Sequence, residues 1–432
     1  KAKFSSIFLF CSNILPIFVA KLRKSSKYSQ KYAKIRDFWV ENYYSIRDRQ
    51  EMNFEVKPNV DEWMCIEPST GVRLSKLGII YGANASGKSN MLKAIQKVFD
   101  LLFTSRTNRN EPVLSGMPFA LTADKPTKMF VSFYIDGIRY DYYIEYTQKH
   151  ILKEILEYFP KKSKSLFYER TFNGDNKQIT VKFGNSVGIK SKTEDILIQS
   201  TLNNHTLLST YGKVSLPEDA EPMAKVYNWI RDHVHGVMKM TDGDMLSQMR
   251  EIDADTRRKK FYMQMLKKAD FNISDFHVLS NGRNETVAFV NSTSKDNFEL
   301  PGNTQSAGTI RFIADLKYLY DAITGSHVYM LDELGEDLHY DLLLYYLNVF
   351  LYNSDSSQLI LTSQETTLLA EDLINENRQV VWFAEKSHET ASSVYTRADE
   401  YGLHKNNSLY NAYRIGKLGA KPELGSPFIN LD

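Results

Sequence analysis

The first half of the chain has the alternation of apolar and polar positions that is typical of β-strands. Residues 129–146 alternate in this way, and Asp136-Gly137 interrupts the alternation near its middle, which predicts a β-hairpin. The strand-type pattern continues through 151–167 and 178–183. We therefore expect an antiparallel β region in this part of the chain.

The pattern changes at about residue 194. From there to about 269 the spacing of apolar residues is helical, including 222–238 and the highly charged stretch 244–269. Strand-type patterning resumes over 276–290. We expect a helical insertion between two strand-rich halves.

An apolar strand over 77–81 runs directly into the glycine-rich segment GANASGKS, residues 82–89, and then into a helical pattern. This is a P-loop in its usual context of strand and helix. Glycines let the backbone turn its N–H groups toward phosphate oxygens, and the helix N-terminus adds partial positive charge. The motif assigns Lys88 to the β- and γ-phosphates of ATP and Ser89 to Mg²⁺. The expected nucleotide contacts are Gly82, Asn84, Ala85, Ser86, Gly87, Lys88, Ser89 and Asn90.

A second buried strand is expected to complete this site. Residues 327–333 read HVYMLDE, an apolar run that closes on two adjacent acids. Successive residues of a strand point to opposite sides, so Asp332 and Glu333 have different surroundings. We expect Asp332 to hold Mg²⁺ through water, and Glu333 to be either the general base or the residue that polarises the attacking water. The alternative is a surface turn with two solvated acids.

Composition limits the class of protein. The chain has 432 residues, of which 42% are hydrophobic, enough to fill a sizeable core. Its 54 basic and 52 acidic residues leave a net charge of +2, so any DNA contact requires a local patch. The only two cysteines, Cys11 and Cys65, can form neither a disulfide framework nor a zinc site. This fits a reducing, cytoplasmic compartment.

The first 31 residues are set apart from the expected fold. Residues 7–20 are apolar but interrupted by Ser12, Asn13 and Pro16, and a basic run follows them. The segment is short for a spanning helix and lacks the small-residue cleavage site of a secretory signal. We interpret it as a leader or a membrane-touching tail, and we expect no stable membrane insertion.

A second small turn precedes the acidic strand. Residues 305–309 read QSAGT and lead into an apolar-patterned helix over 310–320. A serine at this position is usually a helix cap. The free helix N-terminus also makes the turn a possible anion-binding end.

The order of these motifs resembles the heads of ABC-type ATPases. P-loop, long insertion, Ser-x-Gly turn with helix, and Asp-Glu strand follow one another in that order. Within this superfamily, GANASGKSN, QSAGT and LDELGEDLH are similar to the AAA/ABC-like ATPases of the overcoming-lysogenization and abortive-infection group, which are related to RecF and SMC heads. The resemblance implies an α/β fold with a mixed sheet flanked by helices, an antiparallel β subdomain and an inserted helical lid or arm. We expect residues 32–193 and 276–432 to form the two halves of this head, with 194–275 as the insertion.

The resemblance also implies a composite ATP site. Ser306 and Gly308 would face the γ-phosphate held by the P-loop of another subunit, so that ATP joins copies into a homo-oligomer. Asp337 lies in the stretch that would reach across this contact; capping of the next helix is the alternative for this residue.

Two positions depart from the pattern of the family. Residues 358–362 form a further apolar run, for which we expect a strand, and Gln364 follows it. This glutamine stands where family members generally have a histidine, and glutamine can orient water but cannot carry a proton. We therefore expect Gln364 to take part in catalysis and turnover to be slow. Tyr44 replaces an arginine that lies near the nucleotide in the family, and the sequence leaves open whether Arg47 or Arg49 substitutes for it.

The expected function is a nucleotide-timed sensor or switch. The resemblance implies prokaryotic anti-phage defence, with a separate effector such as a Toprim-like nuclease or another toxin. One alternative is a DNA-repair clamp of the RecF type that holds duplex DNA, and another is a nucleotide-binding scaffold with negligible hydrolysis. A basic cluster in the insertion is either a nucleic-acid patch or an ordinary solvated helix face: Arg257, Arg258, Lys259, Lys260, Lys267 and Lys268.

Overall fold

The computed structural model describes residues 33–113, 116–161, 163–175, 177–238, 242–269, 271–281, 284–422, 426 and 428–429. The expected leader or tail at 1–31 lies outside these residues. The described strands are β1 (Ala33–Glu41), β2 (Gln50–Asn53), β3 (Cys65–Ser69), β4 (Val72–Ser75), β5 (Leu77–Gly82), β6 (Thr127–Ile135), β7 (Ile138–Tyr146), β8 (Ile151–Phe159), β9 (Ser165–Asn173), β10 (Gln178–Phe183), β11 (Val234–Met238), β12 (Ile273–Asn281), β13 (Asn284–Ser292), β14 (Asn297–Pro301), β15 (Val328–Leu331), β16 (Gln358–Thr362), β17 (Val381–Lys386) and β18 (Ser393–Arg397).

The described α-helices are α1 (Lys88–Phe103), α2 (Ser191–Ser200), α3 (Leu207–Tyr211), α4 (Glu221–His233), α5 (Asp242–Ala254), α6 (Thr256–Lys268), α7 (Ala307–Thr324), α8 (Tyr340–Asn353), α9 (Asp372–Asn375) and α10 (Leu409–Arg414). None of the helices in the described ranges is long and apolar enough to cross a bilayer.

A mixed six-stranded sheet carries the predicted motifs. Its strand order is β11-β15-β16-β5-β17-β18, with β11 to β17 parallel and β18 antiparallel at the edge. The P-loop strand β5 lies beside β16. Strand β15, which is followed directly by Asp332, lies on the other side of β16. Because parallel strands end at the same edge of a sheet, these neighbours bring the P-loop and the two acids together.

A seven-stranded antiparallel sheet forms the second layer, in the order β10-β9-β8-β7-β6-β1-β2. The predicted hairpin is confirmed: β6 and β7 pair along their length, and the turn residues Asp136 and Gly137 have φ angles of 49° and 80°. Positive φ at both central residues matches the twist of a two-residue hairpin. The antiparallel β region expected from the alternation is therefore present.

The core lies on both faces of the parallel sheet. On one face α1 buries Met91, Leu92 and Ile95 between this sheet and the antiparallel one. On the other face, α7 and α8 pack over residues such as Leu331 and Leu361. Strands covered on both faces read as continuous apolar runs, which is why β15 and β16 were recognisable in the sequence.

The helix expected over 222–238 is wrong in its last part. Helix α4 ends at His233, and Val234–Met238 form β11, which pairs in parallel with β15. The N–H of Val237 donates to Oε1 of Gln96 on α1 over 2.9 Å, and Gly236 packs against the same side chain. Tertiary pairing with the nucleotide-binding sheet therefore overrides the helical pattern here.

The rest of the insertion contains helices α5 and α6 and is followed by the three-stranded sheet β12-β13-β14. Arg258 forms ion pairs with Asp321 and Glu251, and Lys259 with Asp253 and Asp275. Two members of the basic cluster are thus engaged within the chain, which favours the solvated helix face over a nucleic-acid patch.

Candidate nucleotide site

The P-loop has the strained turns that its sequence requires. Ala85 and Gly87 have φ angles of 64° and 104°, and Gly87 is the N-terminal cap of α1. A Cβ at Gly87 would collide with the hydroxyl of Ser393 on β18 and lie 2.8 Å from that of Ser45. Glycine is needed at this position both for its backbone angle and for the close approach of neighbouring chain segments.

The ammonium group of Lys88 lies at the centre of the loop. Its Nζ donates to the carbonyl oxygens of Gly82 at 2.7 Å and Ala83 at 3.1 Å. Burial lowers the pKa of Lys88, while the nearby Glu333 and Asp332 act in the opposite direction. A buried cation that is hydrogen-bonded to loop carbonyls is placed to receive phosphate oxygens.

The residues expected to hold Mg²⁺ meet across the sheet edge. The hydroxyl of Ser89 donates to Oδ1 of Asp332 over 2.8 Å, and Asp332 is only 4% exposed. Hydroxyl and carboxylate oxygens are the hard donors that Mg²⁺ takes, usually together with water and nucleotide phosphates. In the part of the chain that the structure describes, the buried Ser86 hydroxyl also lacks a hydrogen-bond partner, as suits a group that awaits a phosphate oxygen.

Glu333 and Gln364 are brought together at the same edge. Glu333 has a left-handed backbone with φ of 56°, and Nε2 of Gln364 donates to its Oε1 over 3.1 Å. An open cleft of about 270 Å³ lies beside them, with Gly335, Glu336 and Glu365 among its lining residues. The two acids thus differ as expected, because Asp332 is buried against the P-loop while Glu333 faces a cleft where water can enter.

One residue of this edge was not found from the sequence. The hydroxyl of Thr362, at the end of β16, donates to Oδ1 of Asp332 over 2.7 Å and accepts the N–H of Glu333 over 2.8 Å. The only sequence signal was its position at the end of an apolar strand.

The sequence also did not predict a group of hydroxyl side chains that hydrogen-bond to the P-loop region from other parts of the chain. The Ser393 hydroxyl donates to the carbonyl of Ser86 over 2.6 Å, and the Tyr395 hydroxyl donates to that of Gly87 over 2.6 Å. The amide of Asn90 donates to the Ser45 hydroxyl over 2.8 Å, and Ser45 and Ser393 share a hydrogen bond of 2.7 Å. These contacts are far apart in sequence, so no local motif predicts them.

The open question about Tyr44 has a partial answer. Arg47 is paired with Asp48, and Arg49 is paired with Glu51 and lies over the ring of Trp39. The side chains of both arginines therefore contact residues outside the P-loop. Tyr44 itself directly precedes Ser45 and is 39% exposed.

The QSAGT turn caps α7 and is open to solvent. The hydroxyl of Ser306 accepts the N–H of Thr309 over 3.1 Å, and the Ser306 residue is exposed. A Cβ on Gly308 would lie 2.8 Å from the carbonyl oxygen of Asp337, so the turn packs against the stretch that follows Glu333. The cap is confirmed, and the Ser306 residue remains exposed beside it.

The alternative prediction that Asp337 caps the next helix is wrong. Helix α8 begins at Tyr340, and its cap is His339, whose imidazole accepts the N–H of Asp341 over 3.3 Å. Asp337 is exposed with a left-handed φ of 64°, in the turn before the cap. The turn after Glu333 delays the start of the helix, so Asp337 is too early in the chain to cap it.

Comparison with known proteins assigns the family. Residues 78–370 match the model described as "AAA domain, putative AbiEii toxin, Type IV TA system", a span that includes the P-loop, the QSAGT turn, the two acids and Gln364. The chain belongs to this AAA family. The expected resemblance to AAA/ABC-like P-loop ATPases is confirmed, and by family this AAA chain is an ATPase.

Solved structures similar to this AAA chain include SMC heads. The SMC head domain from Thermotoga maritima is 12% identical, with 84% of this chain and 98% of that chain covered and a TM-score of 0.38. An Smc head with an extended coiled coil, bound to the C-terminal domain of ScpA derived from Pyrococcus furiosus, is 13% identical, with 89% and 99% covered and a TM-score of 0.38. No curated protein matches the chain in sequence. The mixed sheet with flanking helices and the antiparallel second layer form the α/β architecture that the sequence predicts.

Proposed function

We propose that this chain binds ATP with Mg²⁺ and hydrolyses it, and that ATP joins copies of the chain into an oligomer that switches a separate effector. The observation that carries the proposal is the hydrogen-bonded edge of the parallel sheet, where Ser89 meets Asp332 and Gln364 meets Glu333 beside Lys88. P-loop, metal ligands and a water-activating acid are the parts that nucleotide hydrolysis requires.

Each residue has a task in this proposal. The loop N–H groups and Lys88 bind the phosphates, with Gly82, Asn84, Ala85, Ser86, Gly87 and Asn90 forming the rest of the cradle. Mg²⁺ held near Ser89 and Asp332 would neutralise phosphate charge. Glu333 accepts a proton from the attacking water, and Gln364 orients that carboxylate. Since Gln364 cannot carry a proton, turnover is slow.

The oligomer rests on the exposed QSAGT turn. Ser306 presents its outer side to solvent at the N-terminus of α7, an 18-residue helix. The partial positive charge of that end suits a γ-phosphate that another copy holds. Ser306 and Gly308 would then complete the site of a partner copy, so that association depends on the presence of the nucleotide.

Defence is the biological setting that the family favours. The family description names a toxin of a toxin–antitoxin system. A cytoplasmic switch that releases or restrains a toxin or a Toprim-like nuclease fits both this description and the proposed assembly. The identity of the neighbouring open reading frame would test the setting, and loss of phage protection in cells that carry Lys88→Ala would support it.

The assembly is tested with Glu333→Gln. This variant removes the base but not the phosphate contacts, so it should bind Mg–ATP, lose turnover and accumulate the oligomer. Size-exclusion chromatography with and without ATP measures the assembly, and phosphate release measures turnover. The matched control is Glu218→Gln on an exposed turn, which should behave as wild type. Identical elution of Glu333→Gln with and without ATP would contradict the composite site.

A further inference from the structure

Thr362 contacts three consecutive residues of the acidic strand end. Its hydroxyl donates to Oδ1 of Asp332 and accepts the N–H of Glu333, at 2.7 and 2.8 Å. Its carbonyl oxygen accepts the N–H of Leu334 at 3.1 Å. Thr362 is fully buried, so water does not compete for these hydrogen bonds.

The backbone conformation of the segment that Thr362 contacts is unfavourable unless other contacts stabilise it. Glu333 is not glycine, yet its φ of 56° lies in the left-handed region, which persists only where surrounding contacts enforce it. The hydrogen bond to the Glu333 N–H acts at that residue. The direction of the Glu333 carboxylate toward the cleft therefore depends on a contact that Thr362 supplies.

The same hydroxyl also orients the metal-binding acid. Oδ1 of Asp332 accepts from both Ser89 and Thr362, at 2.8 and 2.7 Å. Ser89 is itself expected to bind the metal, which would redirect its hydroxyl oxygen toward the ion. Thr362 is then the side chain that keeps the Asp332 carboxylate in place while the metal is bound.

We propose that Thr362 is a positioning residue that couples the two acids, fixing the carboxylate of Asp332 for Mg²⁺ and the backbone of Glu333 for water activation. The proposal rests on the proposed function and adds a residue to the same site. A threonine is suited to both tasks because one hydroxyl can donate and accept at the same time. Valine has nearly the same shape and can do neither.

The test compares Thr362→Val with Thr362→Ser. Thr362→Val should lower kcat by about 10- to 100-fold and raise the Mg²⁺ concentration for half-maximal turnover several-fold, while KM for ATP changes by less than about twofold. Thr362→Ser keeps the hydroxyl and should retain most of the activity. Thr201→Val is the matched control, because Thr201 is also buried and hydrogen-bonded but lies in another part of the chain, at the end of α2.

Thermal unfolding of each variant separates positioning from folding. If Thr362→Val does not fold, Thr362→Ala provides the second variant without a hydroxyl and should show the same split between kcat and KM. Wild-type kcat and Mg²⁺ dependence in either folded variant would overturn the proposal, as would a Thr362→Ser variant as impaired as Thr362→Val.

Failure of the proposed function can be distinguished from failure of the inference about Thr362. A wild-type chain that binds no Mg–ATP refutes that function, and this inference falls with it. If wild type binds Mg–ATP without turnover, the Mg²⁺ dependence of fluorescent ATP binding decides the inference. A several-fold higher Mg²⁺ concentration for half-maximal ATP binding in Thr362→Val then supports the role of Thr362 at Asp332, and an unchanged concentration overturns it.

Discussion

Nε2 of Gln364 lies 3.1 Å from Oε1 of Glu333, so a side chain two positions beyond the end of β16 contacts the proposed base two positions beyond the end of β15. The amide can orient the carboxylate but cannot take its proton. We expect Gln364→Ala to lower kcat by about 10-fold or more, because the carboxylate of Glu333 loses the hydrogen bond that Gln364 donates. Phosphate release under saturating ATP measures this effect.

Gln364→His provides the comparison at the same position. An imidazole can both orient and carry a proton near neutral pH, so turnover should equal or exceed that of wild type. A Gln364→His variant as slow as Gln364→Ala would show that an imidazole at this position supplies neither the orientation of Glu333 nor proton transfer.

Lys88→Ala should abolish most ATP binding, because the loop loses the buried cation that is hydrogen-bonded to its carbonyls. Equilibrium binding of a fluorescent ATP analogue measures the loss. The matched control is Lys93→Ala, an exposed lysine on the same helix, which should bind as wild type does. Equal affinities for the two variants would argue against the assigned P-loop.

Ser306→Arg should block ATP-dependent assembly and leave binding to a single copy intact, because a bulky cation would occupy the space of the partner's phosphate. Ser306→Ala is the control for the helix cap: it costs about 1 kcal/mol of helix stability without adding bulk. Size-exclusion chromatography with ATP in the Glu333→Gln background distinguishes the two. If Ser306→Arg assembles normally, the turn is a cap and nothing more.

His205 should make the folded state sensitive to acid. This imidazole is buried, and burial lowers its pKa to about 4, well below its value in an unfolded chain. As the pH falls from about 6.5 to about 4, the unfolded chain takes up a proton on His205 and the folded chain does not. The free energy of unfolding therefore decreases by up to about 1.4 kcal/mol per pH unit from this group.

The difference between wild type and His205→Gln isolates that contribution. Because the variant cannot take up this proton, its stability relative to wild type should rise as the pH falls through the same window. Urea unfolding at pH 7, 6, 5 and 4.5 measures the difference. Parallel stability curves for the two proteins would contradict the shifted pKa.

The elements that carry the site were predictable because their signals are local. The strand expected over 77–81 is β5, Leu77–Gly82, and the one expected over 358–362 is β16 with the same bounds. Strands buried on both faces need unbroken apolar runs, and a phosphate-binding turn needs glycine, so both features are visible in short windows of sequence. These local signals predict the roles of Lys88, Ser89, Asp332 and Glu333.

The errors lie where distant contacts outweigh local pattern. Val234–Met238 followed a helical pattern but became a strand, because β15 and Gln96 offer hydrogen bonds that a continued helix would not reach. Aspartate is a common helix cap, so Asp337 was a candidate for capping α8. The turn after Glu333 places the start of α8 at Tyr340, and His339 is therefore the cap.

Neighbouring residues in the chain encode the P-loop, the acidic strand end and the order of the motifs, so these features can be predicted without a structure. The hydrogen bonds that join Thr362 to Asp332 and Glu333, and Ser393 to the carbonyl of Ser86, exist only in the folded chain. These pairs come from segments far apart in the chain, and their hydrogen bonds exist only after strand pairing has brought the segments within about 3 Å of each other.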